Sequence, residues 1–336
     1  MTKPDLTELY TSLNKNVEKV FVVPKINYSL RETDYLYRLY ADFLEDPQSK
    51  IQIESLSVFA HPKIFFSYIL NRKIVLHYHW FEAQDVKSFA GIFWKLLWII
   101  LYKIIGGKVV WTLHNKYPHT ENYKSFNMFI RKVMAKLADK LHAHCNEAVK
   151  IMMSVLNVDL EKFVVIEHPN FIAHKFSPSH AAEILFKKYN LKFDIHDKIF
   201  LMFGNIASYK GILETTEKFE KLSDTKKLLI VGGVKKGNAD YFKRIMDISS
   251  RTKNIYIIDK IIHEEEVPIF FNLAHYVIFN YRQVLTSGGI ILALNYDKKV
   301  IAPSIGCIPE LENSNIVLFD HSESNKKTLL KLLQSL

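Results

Sequence analysis

Cysteine is nearly absent. The 336 residues hold two, Cys145 and Cys307, too far apart for the close spacings that thiolate metal sites and redox motifs use. Both read as reduced structural thiols of a cytoplasmic protein. No two aspartates stand two residues apart, which removes a common carboxylate clamp for a divalent ion. The N-terminal "MTKPDLTELYTSLNKN" lacks the apolar stretch that a secretory signal requires, so export is not expected. A basic tail is missing too. Lys and Arg number 45 against 35 Asp and Glu, a formal net charge of +10, yet the lysines are scattered and the aromatics lie in apolar runs rather than among Arg and Gly. That pattern excludes nucleic acid as the expected partner and leaves an anionic membrane surface or a phosphorylated small molecule.

Hydrophobic residues are present in quantity, 49% against 24% charged, enough for large buried cores. Single cores seldom grow past roughly 250 residues, so 336 imply two domains. Apolar runs of four to seven residues alternate with segments of helical period, the pattern of βαβ units and parallel sheets. In the first half the expected strands are "EKVFVV" from Glu18, "IQIESLS" from Ile51, "IVLHYH" from Ile74, "KVVWTLH" from Lys108, "KLHAHC" from Lys140 and "FVVIEH" from Phe163. The second half restarts the rhythm with "KIFLMFGN" from Lys198, "KLLIVGG" from Lys227, "NIYIID" from Asn254, "YVIFNY" from Tyr276, "KKVIAP" from Lys298 and "NIVLFD" from Asn315. Between them "HPNFIAHKFSPSH" is proline-bearing and non-periodic and suits a linker.

The expectation is therefore α/β, two doubly wound Rossmann-like domains over residues 1–172 and 173–320 facing each other across a cleft. An amphipathic helix over 321–336 is expected to pack back toward the first domain. In open α/β sheets ligands bind beyond the carboxyl ends of the strands. His114, Gly204, Gly232 and Tyr281 stand at such ends.

The second-half order "FGNIASYKG", "LLIVGG", then "IYIIDKIIHEEEVPIFFNLAHYVIFNYRQVLTSGGIILALNYDKKVIAPSIGCIPEL" resembles the donor-binding half of bacterial GT-B glycosyltransferases. That large group includes lipopolysaccharide, mannosyl and sucrose-type transferases. The first half resembles their acceptor domain more loosely, through "VLHYHW", "VVWTLHNKYPH" and "VVIEHPNF". The resemblance implies a hexosyltransferase-type enzyme that takes a nucleotide-sugar donor, needs no metal cofactor and works as a monomer. Its acceptor would be a glycan, polyprenyl-diphosphate-linked, in bacterial surface polysaccharide synthesis.

Such an enzyme must stabilise negative charge developing on phosphate oxygens, which helix N-termini and ammonium groups do well. By resemblance, Lys210 in "SYKG" serves the donor diphosphate, with Gly204, Asn205, Gly232, Tyr281, Arg282 and the turn Thr286, Ser287, Gly288 and Gly289 around it. Asn205 stands where many relatives carry an arginine. The base falls to the backbone of Lys260 and Ile261, while "HEEEVP" from His263 reads as a helix start. Val284 and Leu292 occupy positions where retaining relatives carry glutamates, which leaves the stereochemical course open. It also keeps a second reading alive, a pseudoenzyme or nucleotide-binding scaffold.

His114 is the catalytic candidate by resemblance, since a histidine at this strand end meets the donor sugar in relatives; its titration range suits proton transfer or hydrogen bonding. The other reading is a buried histidine bonded to a neighbouring carbonyl. Candidate acceptor contacts are Asn27, Tyr28, His79, Trp80, Glu82, Asn115, Tyr117 and His119. The pairs His77/His79 and His142/His144 each share a strand face, but no further side chain completes a fourfold metal set.

"FAGIFWKLLWIILYKIIGG" from Phe89 is the most apolar segment, too short to span a bilayer and interrupted by Lys95 and Lys103. Its aromatics and lysines suit a helix lying in a membrane interface, at the inner face of the cytoplasmic membrane. A buried crossover helix whose lysines snorkel out is the alternative.

Overall fold

All twelve apolar runs are strands, because a parallel sheet covered on both faces reads as continuous β-branched and aliphatic sequence. The structure is a computed structural model that describes residues 4–117, 123–311, 313–322 and 328–336. It divides into two units at Pro169 and Asn170.

In the first unit the chain runs α1 (Leu6–Leu13), β1 (Lys19–Val23), α2 (Tyr35–Glu45), β2 (Gln52–Ser55), α3 (His61–Leu70), β3 (Ile74–Tyr78), α4 (Val86–Ile104), β4 (Lys108–Thr112), α5 (Lys124–Leu137), β5 (Lys140–Ala143), α6 (Asn146–Leu156) and β6 (Phe163–Val165). The second runs α7 (Pro178–Tyr189), β7 (Lys198–Phe203), α8 (Ile212–Phe219), β8 (Lys226–Val231), α9 (Ala239–Arg251), β9 (Ile255–Ile258), α10 (Val267–Leu273), β10 (Tyr276–Ile278), α11 (Gly288–Asn295), β11 (Lys299–Pro303), β12 (Ile316–Phe319) and α12 (Leu329–Ser335).

Short polar side chains start several helices by accepting an orphan backbone N–H. Asp5 takes that of Glu8, Asp34 that of Tyr37 and Ser177 that of His180. Asp85 and Ser88 form a reciprocal capping box for α4.

The sheet orders are β2-β1-β3-β4-β5-β6 and β12-β11-β10-β7-β8-β9, all pairings parallel. Each order reverses once, between β1 and β3 in the first unit and between β7 and β10 in the second. Those reversal points open the crevices in which doubly wound folds bind ligands.

Leu329 and Leu333 of α12 are buried in its own unit's core with Phe200, Met202 and Phe219. Lys226 Nζ caps it through the Leu333 and Gln334 carbonyls. The expectation of two reduced thiols is corrected: neither cysteine is a free thiol, and both are buried. Finally, α4 turns Lys95 inward, 8% exposed, with its ammonium 5.3 Å from the Phe81 ring centroid. Phe93, Leu97 and Ile104, at 53%, 50% and 74% exposed, face outward instead. Among the described residues no helix is long and apolar enough to cross a membrane.

Candidate functional site

The second unit gathers its candidate residues where β7 and β10 lie side by side. At the end of β7, Gly204 adopts φ +93°, and a Cβ there would lie 2.8 Å from Lys210 Nζ. The lysine ammonium fills the room a side chain would need. At the neighbouring end of β8, a Cβ on Gly232 would come within 2.4 Å of the Gly204 carbonyl oxygen, so the two strand ends pack backbone on backbone. Lys210 sits in a 3-10 turn, Ser208–Lys210, with Nζ 3.4 Å from the Phe203 carbonyl. Among the described residues no carboxylate pairs with it. Burial first, and the Lys235 ammonium second, lower its pKa to about 8.

Gly211 joins this turn to α8 in the left-handed region, φ +63°. A Cβ on it would stand 2.2 Å from the Asn280 carbonyl oxygen. The Gly211 carbonyl accepts from Asn280 Nδ2 (3.1 Å) and Thr215 Oγ1 (2.9 Å), pinning the start of α8 to the end of β10. A left-handed non-glycine costs about 1–2 kcal/mol and overpacking about 1–3 more. Gly211→Ala is therefore expected to destabilise the domain by about 3 kcal/mol, a fall in melting temperature of roughly 6–12 °C by the usual 2–4 °C per kcal/mol. A melting temperature within 2 °C of wild type by circular dichroism would show that the turn tolerates a side chain.

The other expected donor residues are less available. Arg282 is ion-paired with Glu214. Tyr281 is buried, its ring stacked on Tyr209 and Phe279 and its hydroxyl 3.1 Å from Ser287 Oγ. Ser287 caps α11 by accepting from Ile290 N at 3.4 Å. A Cβ on Gly289 would come 2.9 Å from the Phe279 ring, so that glycine serves helix-on-sheet packing. Gly288 opens the helix and Thr286 lies partly buried before it. Lys260 is held by Glu266 (3.2 Å) over the Tyr189 ring, while Ile261 is exposed and Asn205 lies on the surface. The acidic run opens α10 through a 3-10 turn, as its first-turn carboxylates indicate.

In the first unit the strand-end residues converge on an aromatic box. His114 follows β4 by two residues. Its ring stacks on Trp80 (centroids 4.4 Å, planes 14° apart) and meets the Tyr35 ring edge-on at 4.8 Å. Its Nε2 lies 3.2 Å from His79 Nδ1. Burial, then His144, His168 and Arg131, hold its pKa well below the ordinary histidine value, so it is neutral. His79 is buried and both its nitrogens are engaged, Nε2 with the Tyr40 hydroxyl at 2.8 Å. It supports His114 and has no nitrogen left for an acceptor.

Helix α5 holds both loops of this box. Asn127 clamps the backbone of Ala83, accepting from its N–H (2.7 Å) and donating to its carbonyl (2.9 Å). One turn on, the buried Arg131 donates to the Asn115 carbonyl, and its charge is countered by Glu82. Trp80 and Tyr28 remain substantially exposed, and Tyr117 lies under the Lys116 ammonium. Asn27 is spent on its own loop, accepting from the Ser29 N–H and hydroxyl. His119 lies outside the described residues.

No family model matches the chain, and no curated protein matches it by sequence. Solved structures do. HepE from Anabaena, in complex with UDP and glucose, is 15% identical with a TM-score of 0.66, covering 95% of this chain and 89% of that one. A glycosyltransferase from Rickettsia africae is 17% identical with a TM-score of 0.64, covering 95% and 88%. Sucrose-phosphate synthase from Thermosynechococcus elongatus is 14% identical, TM-score 0.64, covering 94% and 88%. The chain has the GT-B fold.

Within this GT-B chain, sequence reasoning missed Tyr10, Tyr35, Tyr40, Thr112, Asn127, Arg131 and His168. The one available signal was the pairing of histidines at alternate strand positions, His77/His79 and His142/His144. Period two places them on one face, and buried polar groups on one face require partners. Among the described residues no three metal-liganding side chains are grouped to hold an ion. The histidines are bonded to hydroxyls, carbonyls and one another.

Proposed function

We propose that this chain is a glycosyltransferase that moves a hexose from a nucleotide-sugar donor to a glycan acceptor. The observation that carries the reading is the Lys210 ammonium, tucked beneath Gly204 where β7 meets β10, with no carboxylate partner among the described residues. That is where a doubly wound sheet receives a phosphorylated ligand, and the capped start of α11 adds its orphan N–H groups. HepE, similar in fold, is solved with UDP and with UDP-glucose. The charge on the leaving diphosphate falls to Lys210 and α11 rather than to a metal cofactor. The acceptor domain offers Trp80 for stacking on a sugar face and Glu82 for its hydroxyls.

Val284 and Leu292 favour a second reading, a nucleotide-binding pseudoenzyme, because Leu292 is buried in the core and supplies no carboxylate. A thermal-shift panel of nucleoside diphosphates followed by a release assay separates the two. A ligand at one hundred times its dissociation constant stabilises by about 2.7 kcal/mol. The expected result is a shift with one diphosphate, and its release from the matching sugar nucleotide when lipid extract is present. A shift without release leaves the pseudoenzyme, and no shift with any nucleotide sinks both.

The acceptor we propose is polyprenyl-diphosphate-linked, in surface polysaccharide synthesis, reached by a cytoplasmic monomer at the inner membrane face. The outward side of α4, with Phe59, Phe66 and Leu70 beside it on and before α3, supports this. Arg72 and Lys87 flank those apolar groups and suit anionic headgroups. Leu97→Glu combined with Ile104→Glu is expected to weaken sedimentation with anionic vesicles at least about tenfold, since each buried leucine or isoleucine contributes about 1.5–3 kcal/mol. Both side chains are exposed, so the melting temperature should hold; equal sedimentation would remove the membrane from the reading.

A further inference from the structure

The pairing of β7 with β8 continues past the strands, and it brings a second cation to Lys210. Ile206 N donates to the Gly233 carbonyl and Lys235 N donates back to the Ile206 carbonyl, each at 2.9 Å. Asn238 then locks the two loops together. Its Oδ1 accepts from the Ser208 N–H at 2.9 Å, while its backbone N–H and its Nδ2 both donate to the Lys235 carbonyl, at 3.0 and 3.2 Å. Gly237, at φ +84°, makes the turn that this closure needs. Lys235 is thereby fixed beside the Ser208–Lys210 turn by its backbone, which leaves the side chain for another task.

The half-buried Lys235 places its ammonium 5.6 Å from the Tyr209 ring centroid. The Tyr209 ring in turn lies parallel to that of Tyr281, with planes 8° apart and centroids at 6.3 Å, and the Tyr281 hydroxyl reaches Ser287 at the start of α11. Asp259 is the carboxylate that this loop engages, and it accepts from the Val234 N–H at 3.1 Å. Among the described residues no carboxylate pairs with Lys235 and none pairs with Lys210. Lys210 registers its neighbour as repulsion, the second cause after burial of a pKa lowered to about 8. A backbone that holds two unpaired ammonium groups together leaves their repulsion to be relieved by an anion from outside the chain.

We infer that Lys235 is a further donor-binding residue, whose ammonium joins that of Lys210 on the leaving diphosphate and favours donors that carry two phosphates over donors that carry one. This rests on the reading of the crevice at β7 and β10 as the donor site. A diphosphate is long enough and charged enough to meet both ammonium groups at once, whereas a single phosphate is satisfied by one. Lys235 is half-exposed and screened by water, so its share is smaller than that of the buried Lys210.

The test is calorimetric titration of the full chain with UDP and UMP, and with the guanosine and adenosine pairs if those do not bind. Wild type is expected to bind the diphosphate at least about tenfold more tightly than the monophosphate. Lys235→Met keeps an apolar stem against Tyr209 and removes the charge. It should weaken the diphosphate about tenfold and the monophosphate by less than about threefold, while Lys235→Arg stays within about threefold of wild type for both. Without the neighbouring charge, the pH near 8 above which diphosphate affinity fades should also move upward. Unchanged diphosphate affinity in a folded Lys235→Met overturns the inference. So does a wild type that binds both phosphate classes equally, whether or not the variant folds. No binding of any diphosphate by wild type would sink the donor-site reading itself, whereas a diphosphate lost in Lys210→Ala but not in Lys235→Met sinks this inference alone.

Discussion

Lowering the pH from 7.5 to 5 is expected to unfold the N-terminal domain. His61, His77 and His142 are fully buried there, and burial holds them at about 4, 3 and 3. In the unfolded chain each returns to about 6.5. Between those values the unfolded state binds protons that the folded state refuses, so stability is intact above pH 6.5 and falls as pH drops through the window toward 3–4. At pH 5 the loss is about 2 kcal/mol per ring, or about 6 kcal/mol for the three, from 1.36 kcal/mol per pKa unit. His79 and His144 shift the same way and deepen it. A domain's whole stability is about 5–15 kcal/mol. All four tryptophans, Trp80, Trp94, Trp98 and Trp111, belong to this domain, so their fluorescence reports its melting selectively. Among the described residues no histidine of the second domain is fully buried. A tryptophan-detected melting temperature at pH 5 within a few degrees of that at pH 7.5 would refute the account.

The same cluster shows where the sequence stops being readable. Strands such as Ile74–Tyr78 and Lys198–Phe203 are legible because burial on both faces leaves an uninterrupted apolar run, and a glycine, asparagine or histidine marks the end. Spacing also places His77 and His79 on one face. It cannot show that Tyr10 arrives from α1 and Tyr40 from α2, 67 and 37 residues away from His77. A histidine pair without visible partners invites a metal, whereas the structure supplies phenols. Lys95 misled for a related reason: helical period alone sends a lone lysine outward, but packing against Phe81 decides the helix rotation and leaves Leu97 and Ile104 outside. Long-range pairing hid the state of Arg282 as well, since Glu214 stands 68 residues before it. Lys210 was found through resemblance; that no carboxylate pairs with it among the described residues is visible only in three dimensions.

That difference between cations sets the second large expectation, for Lys210→Ala. Of the three basic residues assigned to the donor, Arg282 is neutralised by Glu214 and Lys260 by Glu266. Lys210 alone of these has no ion pair among the described residues, so most of the side-chain charge offered to a diphosphate goes with it. Losing a preorganised donor to developing negative charge costs about 2.7–4 kcal/mol, so turnover of the sugar nucleotide should fall roughly 100- to 1,000-fold. The fold should survive, because among the described residues the ammonium's hydrogen bond is one long contact to the Phe203 carbonyl. The depressed pKa adds a signature. As pH rises through about 8 the unliganded enzyme loses this charge, and donor affinity should weaken up to tenfold per pH unit above that point in wild type but not in Lys210→Ala. Glu214→Gln releases Arg282 toward the same strand ends. Combined with Lys210→Ala it should restore part of the loss, about tenfold, whereas an unrelated surface charge would restore none. Turnover of Lys210→Ala within threefold of wild type would mean that the buried ammonium serves the turn rather than the donor.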